Sequence, residues 1–192
     1  MMTYSDLLKK RRSVRDFENK PIPISVINEI LQESCLAPSA CNIQSWRFII
    51  VQDLHLMKKI SDEAKRVGLK IANENPASPF CRFKNNFINP DYYIFYNAPV
   101  LILIVGENNY PFFFSDCACA ATYLMFAATS RNLGTCWIGH AHNIEDLNLR
   151  KEIGIPDDHQ IAAALIIGYP KSIPASYTRN NPIILKTVET KS

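Results

Sequence analysis

The sequence lacks several features that mark whole classes of protein. It contains no Cys-x-x-Cys pair, no internal repeat and no low-complexity tract. Its longest apolar run, residues 98–106, is far shorter than the roughly 20 apolar residues that a membrane-spanning helix needs. Residues 1–8 are largely polar and hold no apolar core of a signal peptide. We therefore expect no membrane partner, a cytoplasmic location with free thiols, and one domain over residues 1–192.

An excess of charge of one sign is also missing. The chain has 21 Lys and Arg against 18 Asp and Glu, which gives a net charge of +3. A dedicated nucleic-acid binder usually carries a stronger basic excess. We therefore expect no nucleic-acid partner, provided that the local basic patch has another explanation.

That patch is a dense group of basic side chains near the start of the chain. Residues 9–17 read Lys-Lys-Arg-Arg-Ser-Val-Arg-Asp-Phe. Arg11, Arg12 and Arg15 each offer a planar, charged fork that matches a phosphate, and Ser13 adds a hydroxyl. A bound phosphate monoester is one interpretation. A solvated basic face and a nucleic-acid patch are the alternatives that this stretch alone leaves open.

Hydrophobic spacing and capping residues predict the helices and strands. Helices are predicted over residues 3–12, 25–37, 53–68, 115–133 and 144–153, and strands over residues 46–51, 99–105 and 161–167, with an edge strand over residues 183–188. The candidate N-caps are Ser25, Asp53, Ser115 and Asn143. Residues 72–96 form the least regular part, which we interpret as an excursion over the active site.

The predicted helix at residues 115–133 is apolar nearly all round, so it is either a central core element or a dimer interface. Cys117 and Cys119, with His140 and His142, suggest a zinc site as a rival interpretation. Residues two apart on a helix lie on different faces, so the two cysteines are poorly placed to bind one ion. We expect no metal site.

Several motifs occur in a fixed order along the chain. Arg-Arg-Ser-x-Arg-x-Phe at residues 11–17 is followed by Ala-Pro-Ser-x-x-Asn-x-Gln-x-Trp at residues 37–46. Asn-Ala-Pro at residues 97–99, Gly-Thr-Cys-Trp-Ile-Gly at residues 134–139 and Ala-Leu-Ile-Ile-Gly-Tyr-Pro at residues 164–170 come later. This ordered set resembles the nitroreductase family of flavoproteins over nearly the whole chain. One departure is Ser45, where members usually have Pro, and which we expect to loosen the turn into the strand.

The resemblance implies an α+β fold with a central, mainly antiparallel sheet flanked by helices. It also implies a homodimer with two shared FMN sites, in which the C-terminal segment reaches across to the partner. The implied activity is hydride transfer from NADH or NADPH through flavin N5 to a small-molecule acceptor by a ping-pong mechanism. The acceptor would be a nitroaromatic, a quinone or an activated alkene. The alternative is a flavin-binding carrier or sensor, or a flavin-modifying branch, with little redox turnover.

The resemblance further implies which residues bind the cofactor, while the flavin itself carries the chemistry and no catalytic side chain is required. Arg11, Arg12 and Ser13 suit the phosphate and ribityl end, and Arg15 would favour reduced flavin from the pyrimidine edge of the ring. Gly139 would permit close backbone approach. The expected cofactor-binding residues are Arg11, Arg12, Ser13, Arg15, Pro38, Ser39, Ala40, Asn42, Gln44, Trp137, Ile138, Gly139 and Arg179.

Overall fold

An antiparallel sheet forms the centre of the structure. In the computed structural model, which describes residues 3–190, its four strands are β1 Arg47–Val51, β2 Val100–Glu107, β3 Gly134–Trp137 and β4 His159–Gly168. The strand order is β1-β2-β4-β3, and every neighbouring pair is antiparallel. The predicted α+β fold with a mainly antiparallel sheet is therefore confirmed. Residues 1, 2, 191 and 192 of the predicted domain lie outside the described part of the chain.

Helices cover both faces of the sheet. They are α1 Tyr4–Lys10, α2 Ile24–Ser34, α3 Leu54–Glu74, α4 Lys84–Ile88, α5 Phe113–Ser130 and α6 Leu147–Ile153. Alternate residues of a strand point to opposite faces, so Leu101 and Leu103 pack with α3, whereas Ile102 and Ile104 pack with α2 and α5. The apolar helix α5 is thus a central core element. Within residues 3–190, no helix combines the length and apolarity that crossing a bilayer requires.

Two predicted helix starts are wrong by a few residues. Helix α5 begins at Phe113 rather than after Ser115, whose hydroxyl donates to the carbonyl of Phe112. Helix α6 is capped by Asp146 rather than Asn143, because the carboxylate of Asp146 accepts the N–H groups of the residues two and three positions later. Sequence patterns define such boundaries only within a few residues.

Helix α2 differs from its prediction at both ends. It follows Pro23 without a side-chain cap, so Ser25 is not its N-cap, and it ends at Ser34 rather than at residue 37. Helix α3 also passes through its predicted stop at Gly68 and continues to Glu74. Phe80 and Phe87 pack against Gly68 so closely that a Cβ there would lie 2.8 Å from the Phe87 ring. The glycine therefore serves helix packing rather than termination.

The end of α5 explains why β3 was missed. Asn132 adopts a left-handed conformation with φ 59°, and the N–H of Leu133 donates to the carbonyl of Ala128. This is a Schellman termination, so Asn132 ends the helix and frees Gly134 to begin β3. The edge strand predicted at residues 183–188 is wrong, because residues 173–190 contain no helix or strand in the described structure.

A buried carboxylate joins α3 to the loop before α6. Glu63 is 8% exposed and accepts the backbone N–H groups of Glu145 and Asp146, each at 3.0 Å. Its two oxygens also accept from Arg66 at 2.7 and 2.9 Å. The hydrogen bonds from Arg66, and then those from the backbone, hold the pKa of Glu63 below its ordinary value.

Glu63→Gln should lower the free energy of unfolding by about 1–3 kcal/mol at neutral pH, because the amide loses the charge that strengthens these hydrogen bonds. The folded-state pKa of Glu63 lies below its unfolded value of about 4.3, so its contribution is complete above that pH and is lost as the pH falls through the folded-state pKa. Urea unfolding of both proteins at neutral and acidic pH measures this. Glu74→Gln, at an exposed position of α3, is the control. A Glu63→Gln deficit that stayed constant down to pH values below both pKa values would contradict the prediction.

Candidate functional site

Five of the predicted cofactor-binding residues line one cavity of about 710 Å³, which we call the basic cavity. Its described lining holds five cationic side chains and no acidic one. The lining residues are Leu8, Lys9, Arg11, Arg12, Ser13, Arg15, Pro174, Ala175, Ser176, Tyr177 and Arg179. This set includes Arg179, which comes from the exposed C-terminal segment more than 160 residues along the chain from the other arginines. An anion is the ligand that such a donor set fits.

The arginine segment is held in place by the sheet. The N–H of Val14 donates to the carbonyl of Thr135 in β3 at 2.9 Å, and Phe17 bridges to the residues after β4. Both apolar side chains are buried over glycines: a Cβ at Gly134 would lie 2.8 Å from Val14, and one at Gly168 would lie 2.5 Å from Phe17. Arg11, Arg12, Ser13 and Arg15, which lie next to these two anchors in the chain, line the cavity.

Like charges lie close together in the basic cavity. Burial lowers the pKa of Arg11, and the neighbouring charges of Arg179 and Arg12 lower it further. Arg12 donates to the carbonyls of Lys9 and Arg11 at 2.6 and 2.7 Å, at the C-terminal end of α1. Its buried Nε has no hydrogen-bond partner among the described residues. A bound anion would relieve the mutual repulsion of these charges.

The segment that continues β3 contains the next three predicted residues. Trp137 ends the strand, Ile138 is buried and donates its N–H to Ala164 at 2.8 Å, and Gly139 is exposed. A Cβ at Gly139 would meet no atom within 4 Å. The backbone of Gly139 therefore faces open space, which leaves room for a ligand to come close.

The aromatic residues of the 72–96 excursion reach this region at two points. The ring of His140 packs among Phe80, Phe83 and Phe87, with centroid distances of 4.4 to 5.5 Å, and burial lowers the pKa of His140. At the other end of the excursion, the guanidinium carbon of Arg15 lies 5.9 Å from the ring centroid of Tyr96. The sequence predicted an excursion near the site, but not these partners.

The remaining predicted residues are Pro38 and four residues of the loop that follows it, residues 39–45, which has unusual backbone geometry and which we call the pinned loop. Three of its non-glycine residues have left-handed φ values: Cys41 at 49°, Asn42 at 55° and Gln44 at 52°. Such residues cost on the order of 1–3 kcal/mol each and persist where the surroundings hold them. Asn tolerates this conformation better than Cys or Gln.

Asp116 of α5 supplies two of the contacts that hold this loop. It accepts the N–H of Ala40 at 3.1 Å and the hydroxyl of Ser45 at 3.2 Å. The hydroxyl of Ser45 thus makes a hydrogen bond that proline could not make, which offsets the loosening expected at this position. Asp116 is the only charged residue in α5, and a lone charge in an apolar helix is the signal by which sequence reasoning could have found it.

The structure of one chain does not bring all the predicted residues together. Pro38, Asn42 and Gln44 are exposed, Ser39 and Ala40 are half-buried, and none of the five is among the residues that line the basic cavity. The cavity in turn includes Lys9 and Tyr177, which the sequence analysis did not assign. Lys9 was visible in the basic stretch, whereas nothing in the sequence marks Tyr177.

The rival interpretation was a zinc site formed by Cys117, Cys119, His140 and His142. Within residues 3–190, no group of three or more His, Cys, Asp and Glu side chains is placed to hold a metal ion. Cys117 is buried under β2, and burial raises the pKa of its thiol to about 12. It is a core side chain of α5.

Comparison with known proteins agrees with the fold and the motifs. The model of the nitroreductase family matches residues 8–169, and the chain belongs to that family. A relative from Archaeoglobus fulgidus, named putative NADH dehydrogenase/NAD(P)H nitroreductase, is 30% identical over 166 residues, which cover 86% of this chain and 84% of the relative. The family identified from the ordered motifs is thereby confirmed.

Two solved structures show the same fold. A nitroreductase with bound FMN from Bacteroides fragilis has a TM-score of 0.76 at 24% identity, over 98% of both chains. An oxidised iodotyrosine deiodinase bound to FMN and 3-iodo-L-tyrosine has a TM-score of 0.77 at 25% identity, over 96% of this chain and 98% of the other.

Inorganic phosphate should stabilise the protein through the basic cavity. At a concentration about tenfold above its dissociation constant, phosphate would add about 1.4 kcal/mol and raise the melting temperature by roughly 3–6 °C. Arg179→Ala should reduce this shift, because it removes one cation from the cavity. Thermal unfolding with phosphate, against chloride at equal ionic strength, measures the effect.

The control for this measurement is Arg82→Ala, at an exposed arginine outside the cavity lining. It should keep the full phosphate shift. Equal shifts in the wild type and in Arg179→Ala would show that Arg179 does not contribute to anion binding.

Proposed function

We propose that the chain is an FMN-dependent oxidoreductase that takes electrons from NADH or NADPH and reduces a nitroaromatic, a quinone or an activated alkene. The observation that carries the proposal is the basic cavity: five cations, no acidic side chain in its described lining, and direct attachment to β3. Membership of the nitroreductase family and the FMN in the related structures support the same ligand.

The residues of the cavity fit the phosphate end of FMN. Arg179 lies close enough to Arg11 for its charge to lower the pKa of Arg11, so a phosphate dianion between them would be bound by charge-assisted hydrogen bonds. Ser13 offers a hydroxyl on the same wall. Arg12 donates hydrogen bonds to two carbonyls at the end of α1. It therefore stabilises the local backbone as well as contributing positive charge to the cavity.

A second group of residues suits the ring end. When bound, FMN would supply the redox chemistry, which is hydride and electron transfer between NADH or NADPH and the acceptor. Arg15, packed on Tyr96, would place a positive charge at the pyrimidine edge. Gly139 leaves space for the ring, and Trp137 and Ile138 fix the backbone directly before it through the sheet. The chain's task is to bind, orient and exclude water, so no catalytic side chain is assigned.

We further propose a homodimer in which the pinned loop of one subunit completes the site of the other. Asn42 and Gln44 of the loop, and Pro38 directly before it, are exposed and lie outside the basic cavity of their own chain. The C-terminal segment also leaves Ile183 and Leu185 87% and 95% exposed. A second copy of the chain would cover both the loop and this apolar segment.

The double substitution Ile183→Asp with Leu185→Asp should shift the protein from dimer to monomer. The two side chains make no buried contact within their own chain, so the substitution should leave the fold of the monomer within about 0.5 kcal/mol of wild type. Light scattering at micromolar concentration measures the mass. Lys186→Ala, directly after Leu185 in the same exposed segment, is the control and should remain dimeric. A wild-type protein that is monomeric and retains flavin would contradict the shared site.

A visible absorption spectrum tests the proposed activity. The purified protein should be yellow, bleach on anaerobic addition of NADH or NADPH, and recover its colour when a nitroaromatic or quinone is added. Arg179→Ala should bind FMN roughly 10- to 100-fold more weakly, as expected for the loss of a charge-assisted hydrogen bond. A yellow protein that resists both donors would instead be a flavin carrier or sensor, and a protein that takes up no FMN would rule the cofactor out.

A second candidate function is reductive removal of iodine from an iodinated tyrosine. The likeness to the iodotyrosine deiodinase bound to 3-iodo-L-tyrosine favours it. The two candidates separate in one assay, in which the reduced protein is mixed with either 3-iodo-L-tyrosine or a nitroaromatic. Iodide release faster than nitro reduction would favour the deiodinase activity, and the reverse would favour the first proposal.

A further inference from the structure

We propose that Asp116 is a positioning residue for the cofactor, which acts by holding the pinned loop in the conformation that receives FMN. The inference rests on the proposed function, because it assigns FMN as the ligand of that loop. Asp116 acts through the loop and from beneath it, as part of the core helix α5.

The burial of Asp116 is the first observation. Its side chain is 4% exposed, and a carboxylate is costly to bury unless hydrogen bonds replace its water. Asp116 lies in the first turn of the 18-residue helix α5, whose positive N-terminal end favours a negative charge. Both of its hydrogen-bond donors in the loop are uncharged groups. The carboxylate therefore fixes the conformation of the loop and does not form an ion pair with it.

The spacing of its contacts is the second observation. Oδ1 accepts from the N–H of Ala40 and Oδ2 from the hydroxyl of Ser45, so one carboxylate grips the loop on both sides of its left-handed residues. The hydroxyl of Tyr110 donates to the carbonyl of Ala40 at 3.4 Å. Burial raises the pKa of Tyr110, and the nearby charge of Asp116 raises it further. Both polar groups of the Ala40 backbone are therefore fixed from the α5 side.

The loop has few other supports. Within it, the N–H of Gln44 donates to the hydroxyl of Ser39, and the side-chain amide of Gln44 donates to Asn42. The N–H groups of Asn42 and Ile43 also donate to the carbonyls of Ser39 and Ala40. From outside the loop, besides Asp116 and Tyr110, the guanidinium of Arg47 donates to the carbonyl of Gln44 at 3.1 Å. Its outer surface is exposed. Without Asp116, left-handed Cys41, Asn42 and Gln44 would relax to commoner conformations, and FMN would have to reorder them on binding. Preorganisation of a binding loop raises affinity by removing that ordering cost.

The experiment compares FMN affinity with fold stability in a set of matched variants. Fluorescence quenching of FMN titrated with apoprotein gives the dissociation constant, and thermal unfolding of the apoprotein gives stability. Asp116→Ala should weaken FMN binding roughly tenfold to a hundredfold. Asp116→Asn should fall between it and wild type, because the amide oxygen still accepts from Ala40. Glu63→Ala is the control: it also removes a buried carboxylate that accepts loop N–H groups, so it should lower the melting temperature and keep FMN affinity within twofold.

A double-substitution test checks that Ser45 acts through Asp116. Ser45→Ala should weaken FMN binding by roughly threefold in the wild-type background and cause no further loss in the Asp116→Ala background, since the partner is already gone. A full additional loss there would overturn the arrangement. If Asp116→Ala does not fold, Ser45→Ala and Asp116→Asn decide the question, and unchanged FMN affinity in both overturns the proposal.

The outcomes also separate this inference from the proposed function. Suppose that the wild-type protein binds FMN and oxidises NADH or NADPH with an acceptor, while the Asp116→Ala variant loses only stability. This result would overturn the positioning role and leave the proposed function standing. Wild-type protein that takes up no FMN overturns the function, and with it the ligand assigned to the pinned loop.

Discussion

Repulsion among the guanidinium groups of the basic cavity is the constraint on which the rest of the structure depends. Arg11, Arg12 and Arg179 raise one another's free energy wherever they are held together without an anion. The chain accepts this because apolar packing elsewhere is large: both faces of the sheet are buried under separate clusters of side chains. The negative C-terminal end of α1, where Arg12 binds two carbonyls, offsets a further part of the cost.

Helix α5 connects the fold to the site in a different way. Its apolar residues cover one face of the sheet. Its one charged residue, Asp116, lies in the first turn and accepts hydrogen bonds from the loop of residues 39–45. A site built on loops is reliable when rigid elements hold those loops, and here the most buried helix performs that task. The stability of the core and the shape of the loop are thus set by the same helix.

Sequence reasoning found what depends on local chemistry and ordered motifs. The basic stretch, the two middle strands and the family followed from residues that are adjacent in the chain. It failed where a neighbour in space decides the outcome. Gly68 reads as a helix stop but is a contact surface for Phe87. The helix predicted to run to residue 133 ends earlier, because Asn132 adopts a left-handed conformation. Arg179 and Arg11 are far apart in sequence but line the same cavity. No hydrophobic periodicity indicates that two such segments are close in space.

The two glycines under the N-terminal segment have a consequence for how charge is placed at the cavity. Val14 and Phe17 fill the space above Gly134 and Gly168 that a side chain would otherwise occupy. The distance between the arginine segment and the sheet therefore depends on the missing side chains at these two positions of β3 and β4. A methyl group added at either glycine would push Val14 or Phe17 away from the sheet and shift the neighbouring arginines with it, although no titratable residue would change. Charge geometry in this protein is therefore a property of the shape of its sheet as much as of its arginines.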